Sequence, residues 1–292
     1  MMFGDAWRRE TTLLDDTARL TANGSFIRLA HGYTHYQAAG PERARPVVLV
    51  HGFSVPYFIW EPTFRALVDA GMRAVRYDLY GRGYSDRPRV AYDLSLFLTQ
   101  LGQLLDALGH TQVDLVGLSM GGPIAAAFSV DFPHRVRKLV LIDPSGVSPI
   151  HLGILYRLAV LPGISDVIFA IAGSEYMLNN VAADFFDHTL VQVFRERYRV
   201  QMQYRGFKRA ILSTVRHNML GSFRNTYAQL GDLGMPVLLI WGENDKTISF
   251  KQSQILRGLL PQAQFLAVTD CGHIPHFERP EVVQPRLIDF LS

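Results

Sequence analysis

Cysteine is nearly absent: Cys271 is the only one in 292 residues. An intrachain disulfide is therefore excluded, and with it a small stapled secreted scaffold. A strong charge of one sign is also lacking. The 29 Lys and Arg exceed the 26 Asp and Glu by only three, and the basic residues are scattered, so the footprint of a nucleic-acid-binding surface is missing. No long apolar run is uninterrupted. The most apolar stretch, 150–172, is broken by His151, Arg157, Pro162 and Asp166, which makes it a poor spanning helix and leaves only transient contact with a lipid surface open. The first ten residues hold Asp5 and Glu10 and no apolar core of a signal peptide, so a cytoplasmic location is expected. Ser/Gly linkers and internal repeats are absent as well. What remains, with 48% apolar and 19% charged residues, is a globular chain long enough for one α/β domain with an insertion or for two separate domains.

Six short β-branched or leucine-rich runs recur, at 46–50, 73–77, 113–116, 136–142, 237–241 and 264–268. Continuous apolar runs of this length predict strands buried on both faces. Most are separated by helix-length segments, of which Leu94, Phe97, Leu98, Leu101, Leu104, Leu105 and Leu108 show the clearest spacing of three or four. The alternation predicts a mostly parallel central sheet with helices on both faces, preceded by an antiparallel pair at 25–30 and 33–38. It breaks once, after Asp143. The expected organisation is a core of residues 1–144 and 229–292, with 145–228 inserted as a helical cap over the carboxyl ends of the strands, where such sheets bind ligands.

The chemistry starts at Gly117-Leu118-Ser119-Met120-Gly121, a G-x-S-x-G pattern set directly between a strand and an Ala-rich helix-like run. In that setting the serine sits at a strained corner with its hydroxyl exposed, and small residues two away on either side let the backbone approach. A serine hydroxyl is a weak nucleophile without a base. Of the ten histidines, His273 is the best placed, in Asp270-Cys271-Gly272-His273 after the last strand; His276 is its nearest competitor. The base needs an acid to fix its tautomer, and Asp245 after the fifth parallel run supplies one, with Asp143 and Glu243 as rivals. The order Ser119, Asp245, His273 is nucleophile, acid, base. Backbone N–H groups of Met120 and of Phe53, in His51-Gly52-Phe53 after the first parallel run, are the candidate oxyanion hole, while His51 is expected to be structural. His273 and His276 suggest a metal pair, but no third ligand clusters with them, so neither metal nor cofactor is expected.

On these motifs, together with Asp78 to Asp86, Gly242 to Asp245 and Gly272-His273, the chain resembles the α/β-hydrolase superfamily over nearly its whole length, in particular its capped esterase and monoacylglycerol-lipase-like branch. The resemblance implies hydrolysis of a small-molecule carboxylic ester, of short to medium acyl chain or a monoacylglycerol, through an acyl-enzyme on Ser119. Dehalogenases and most epoxide hydrolases of the superfamily carry aspartate where this chain has Ser119. Hydrolases of ring-cleavage products, which break C–C bonds, carry Asn before the serine and Trp after the histidine, where Leu118 and Ile274 stand here; that chemistry stays open, as does that of cofactor-free haloperoxidases and perhydrolases. A non-catalytic ligand-binding member would not need a complete triad. For the substrate pocket the candidates are Phe58, Trp60, Tyr80 and Ile274, together with apolar cap residues from Leu152 to Ile171. Cys271 reads as a small buried thiol, and the two glycines of the Asp78 to Asp86 segment as backbone necessities.

Overall fold

The computed structural model describes residues 9–149 and 163–292. The N-terminal part runs α1 (Asp16–Leu20), β1 (Ser25–Leu29), β2 (Gly32–Ala39), β3 (Pro46–Val50), α2 (Glu61–Asp69), β4 (Arg73–Tyr77), α3 (Leu94–Ala107), β5 (Val113–Leu118), α4 (Gly121–Asp131) and β6 (Val136–Ile142). After it come α5 (Ile164–Asn180), α6 (Val191–Met202), α7 (Phe207–Arg216), α8 (Arg224–Asp232), β7 (Val237–Gly242), α9 (Lys251–Leu259), β8 (Gln264–Val268), α10 (Pro275–Glu278) and α11 (Pro280–Leu291). The eight strands form one sheet in the order β1-β2-β4-β3-β5-β6-β7-β8. β1 and β2 pair antiparallel, as does β2 with β4, and every pairing from β4 through β8 is parallel.

Each expected strand forms, and the residues of the central strands have somewhere apolar to go on both faces. Val48, Val50, Val75, Leu115, Leu139, Leu141 and Leu239 face one core, packed by Phe97, Leu101 and Leu104 of α3 and Ile124 and Phe128 of α4. Their neighbours in sequence, Val47, Leu49, Ala74, Val116, Val140 and Leu238, face the other, under Phe64 and Leu67 of α2 and Val283 and Leu287 of α11. The helix expected from Leu94 starts where Asp93 caps it, its side chain accepting from Leu96 N–H at 2.9 Å. Strand β5 extends two residues beyond the apolar run, through Gly117 and Leu118, so the serine stands directly at the strand end.

Between β6 and β7 the described residues form helices and no strand. The boundary expected at 228 falls inside α8, whose Tyr227 and Leu230 pack in the same core cluster as Ile124 and Phe128 of α4. Of the apolar residues expected to face substrate from this region, those up to Leu161 lie outside the described residues. Val167 and Ile171 of α5 are exposed. No helix among the described residues is long and apolar enough to cross a membrane.

Candidate active site

Ser119 occupies a left-handed corner, φ +52, between β5 and α4. For a residue with a Cβ that conformation costs about 1–2 kcal/mol, and the surroundings hold it in place. Ser119 N–H donates to Ile142 O at 3.0 Å, and its carbonyl accepts from Gly122 and Ser145 N–H at 2.9 and 3.1 Å. The flanking glycines are steric necessities: a Cβ on Gly117 would stand 2.4 Å from Gly121 O, and one on Gly121 would stand 2.2 Å from Val50 O. Met120 heads α4, so its N–H and the positive end of the helix lie beside the serine.

The loop after β3 comes against this corner. A Cβ on Gly52 would lie 3.2 Å from that of Ser119. His51 is fully buried and anchors the loop, its Nδ1–H donating to Gly52 O at 2.9 Å while Nε2 accepts from Leu79 N–H at 2.9 Å. Burial pushes His51 down to about 4, outweighing the nearby Asp78 charge, so the ring is neutral and structural. Arg82, also fully buried, donates from Nε to Phe53 O at 2.8 Å and from Nη2 to Thr214 Oγ1 at 2.9 Å. It thus ties the Phe53 peptide to α7. The two glycines of this segment answer to different neighbours: a Cβ on Gly83 would fall 2.0 Å from Asp78 Oδ2, and one on Gly81 would fall 2.5 Å from the Ala210 Cβ.

Asp245 and His273 meet because the loops after β7 and β8 are joined backbone to backbone. Glu243 and Asn244 N–H donate to Val268 and Cys271 O, both at 2.9 Å, and a Cβ on Gly242 would lie 1.9 Å from Gly272 O. His273 Nδ1–H donates to Asp245 Oδ2 at 2.7 Å. Asp245 Oδ1 accepts from Thr247 and Ile248 N–H at 2.7 and 2.8 Å, which orients the carboxylate. Glu243 is exposed. Asp143 is buried behind the pair, its Oδ1 accepting from Gly242 N–H at 3.0 Å. His276, the other rival, is buried against Trp60 with ring centroids 4.4 Å apart, and burial pushes it down to about 3. One ligand atom each of Asp143, Asp245 and His273 lies within 4.8 Å of the others, and Asp245 and His273 are joined by the hydrogen bond given above.

Ser119 and His273 line one cavity of about 440 Å³. Leu118, Ile274, Val55, Ile59, Met177 and Phe194 make its walls mostly apolar, with Asn180, Lys246 and Thr247 as polar points. Of the four expected pocket residues, Ile274 lines it. Phe58, Trp60 and Tyr80 do not: Phe58 packs edge-on against Phe194, Trp60 covers His276, and Tyr80 is fully buried where its N–H donates to Gln100. Sequence reasoning missed Asp184, which precedes α6. Its carbonyl accepts from His273 N–H at 2.8 Å, and its Oδ1 from Thr247 Oγ1 at 2.7 Å. Burial raises the Asp184 carboxyl above its usual range. No motif marks this residue; only the folded chain brings it to the β7 and β8 loops. Cys271 is buried, and burial raises its thiol, so it stays protonated.

Burial alone would lower His273, but the Asp245 carboxylate at 2.7 Å and the nearby Asp184 outweigh it, and the net shift is upward from the ordinary 6.5. A base must be neutral to accept a proton. Reaction at Ser119 should therefore fail on the acid side with a midpoint above 6.5, and a pH profile of kcat/KM checks it; a midpoint below that value would contradict the pairing.

A parallel sheet with a serine corner after β5, an acid after β7 and a histidine after β8 defines a class of hydrolase. Residues 47–284 match the alpha/beta hydrolase family, and the chain belongs to that family. It is 30% identical over 259 residues, 85% of its length and 89% of the relative's, to a 2-hydroxy-6-oxo-2,4-heptadienoate hydrolase of Pseudomonas putida. It is 26% identical over 273 residues, 91% of its length and 86% of the relative's, to carboxylesterase YbfK of Bacillus subtilis. Among solved structures, a meta-cleavage product hydrolase from Pseudomonas fluorescens superposes with a TM-score of 0.75 at 25% identity, covering 91% of this chain and 97% of that one.

Proposed function

We propose that the protein cleaves carboxylic esters through an acyl-enzyme on Ser119. The observation that carries this is the His273 Nδ1–H···Asp245 Oδ2 hydrogen bond of 2.7 Å, which leaves Nε2 as the basic nitrogen of a ring sharing a cavity with Ser119. Ser119 Oγ attacks the ester carbonyl carbon as His273 Nε2 takes its proton. The carbonyl oxygen becomes an oxyanion, held by the N–H groups of Phe53 and Met120; losing one such donor typically costs about 3–4 kcal/mol of transition-state stabilisation. His273 then protonates the departing alcohol, and water, activated by the same ring, releases the acid. Asp245 keeps the proton on Nδ1 and stabilises the imidazolium throughout. Helices α5, α6 and α7 act as a cap over the site, and α8 belongs to the core.

The preference for esters rests on the apolar wall, where Leu118 and Ile274 replace the Asn and Trp of the C–C hydrolases that the chain resembles. The cavity of about 440 Å³ suits a small ester of short to medium acyl chain. One observation favours a second activity: the relative that is 30% identical is named as a hydrolase of a 2-hydroxy-6-oxo-dienoate. A series of nitrophenyl esters from acetate to palmitate, run beside a 2-hydroxy-6-oxo-dienoate, separates the two. The highest kcat/KM is expected on a butyrate-to-octanoate ester. A higher value on the dienoate would overturn ester hydrolysis in favour of C–C cleavage.

A further inference from the structure

The carboxyl group of Asp143 has no task in the mechanism above, yet it stands beside the pair that does. It lies just after β6, fully buried, on a backbone of φ +40 that few side chains adopt. Oδ1 accepts from Gly242 N–H at 3.0 Å. Oδ2 is buried with no donor facing it, within a group of atoms from Asp143, Asp245 and His273 that are all within 4.8 Å of one another. The acidic groups facing Asp143 are Asp245, from the loop after β7, and Glu278 of α10; the Cys271 thiol is also near. Those facing His273 are Asp245 and Asp184, with the neutral His276 beyond.

Two buried carboxyl groups in contact cannot both be charged without a cation between them. Asp245 accepts three hydrogen bonds from N–H donors, two from backbone and one from His273, so it is the one suited to hold the negative charge. Asp143 accepts one. Burial first, and the Asp245 charge second, push the Asp143 carboxyl well above the usual carboxylate range. Its remaining oxygen then carries a hydrogen, and Asp245 is the acceptor within reach. A carboxylate has room for about four donors, and this one would be the fourth.

We propose that Asp143 is a positioning residue for the Asp245–His273 pair: as a neutral carboxylic acid it donates its O–H to the Asp245 carboxylate and fixes the face that Asp245 turns to His273. The inference rests on the Ser119 mechanism. It goes beyond that mechanism in giving the acid after β6 a role alongside the acid after β7.

The test is the rate of covalent labelling by a fluorophosphonate, followed against pH, since that reaction needs Ser119 and its base but not the natural substrate. Asp143→Asn keeps a neutral donor at the position and should label near the wild-type rate with its acid-side midpoint unmoved. Asp143→Gly removes the donor on a backbone that glycine tolerates. It should label about ten-fold more slowly, the worth of one hydrogen bond to a charged group, with the midpoint moved to higher pH because Asp245 then draws more strongly on the imidazolium. A midpoint that falls in Asp143→Asn would mean that a negative charge had been removed, and would overturn the proposal. An unmoved midpoint in Asp143→Gly would reduce Asp143 to packing and overturn it equally. If the glycine variant does not fold, Asp143→Ala, which keeps the Cβ and also removes the donor, takes its place, a midpoint moved to higher pH supporting the proposal and an unmoved one overturning it. A wild-type chain that does not label at Ser119 would remove the mechanism beneath; a labelled wild type with an unresponsive Asp143 removes only this inference.

Discussion

Replacing Ser119 by Ala should lower kcat/KM on an activated ester by at least about 10⁴-fold while leaving thermal stability close to that of the unaltered chain. The two parts have separate causes. The loss follows from removing the only atom that attacks, since His273 and the oxyanion donors have nothing to activate. The preserved fold follows from which atoms of Ser119 the structure uses: its N–H and carbonyl bind Ile142, Gly122 and Ser145, so the corner is held through backbone. Alanine keeps the Cβ and therefore the same steric cost at φ +52. Steady-state assay beside a melting curve reads both quantities. A variant that lost activity only by unfolding would leave the role of Oγ unsupported.

Asp245→Asn should cost about 10³- to 10⁴-fold in kcat, through a tautomer rather than through a lost contact. The side-chain oxygen of Asn would stay on the Thr247 and Ile248 N–H groups, which bind Asp245 Oδ1 at 2.7 and 2.8 Å. Its amide NH₂ would then face His273 Nδ1, which must become an acceptor, and the ring proton would move to Nε2. That nitrogen could no longer take the serine proton. The variant should fold normally, and the acid-side midpoint of its residual activity should fall, because the charge that raises His273 is gone. Kinetics across pH measure this; retention of most of the activity would show that another group serves as the acid.

The central strands were legible because a strand buried on both faces is apolar at most positions, with exceptions such as the buried Arg76 and Asp114. The serine corner was legible because it demands glycines at fixed spacing, for the steric reasons given by Gly117 and Gly121. The acid was harder. Asp143 and Asp245 each follow a core strand, and only the pairing of the β7 and β8 loops puts one carboxylate against His273 and the other behind it. The pocket was the least legible. Phe58, Trp60 and Tyr80 are large and lie near the expected motifs, but aromatic size serves core packing as readily as substrate, and here it serves the core. The residues that α5 and the turn after it bring to the cavity, Tyr176, Met177, Asn180, Val181, Ala183 and Asp184, follow no motif because their placement depends on how that stretch of chain packs in the fold. The packing of α8 on α4 was not legible for a related reason: α8 has a helical pattern like its predecessors, and which helices it meets is a tertiary fact.

The most direct measurement of the central claim is to treat the chain with a fluorophosphonate at neutral pH, digest it, and locate the adduct by mass spectrometry. One adduct per chain is expected, on the peptide that contains Ser119, with ester turnover falling in proportion to its formation. An unmodified Ser119, or full turnover by chains that carry the adduct, would contradict the claim that this serine is the nucleophile.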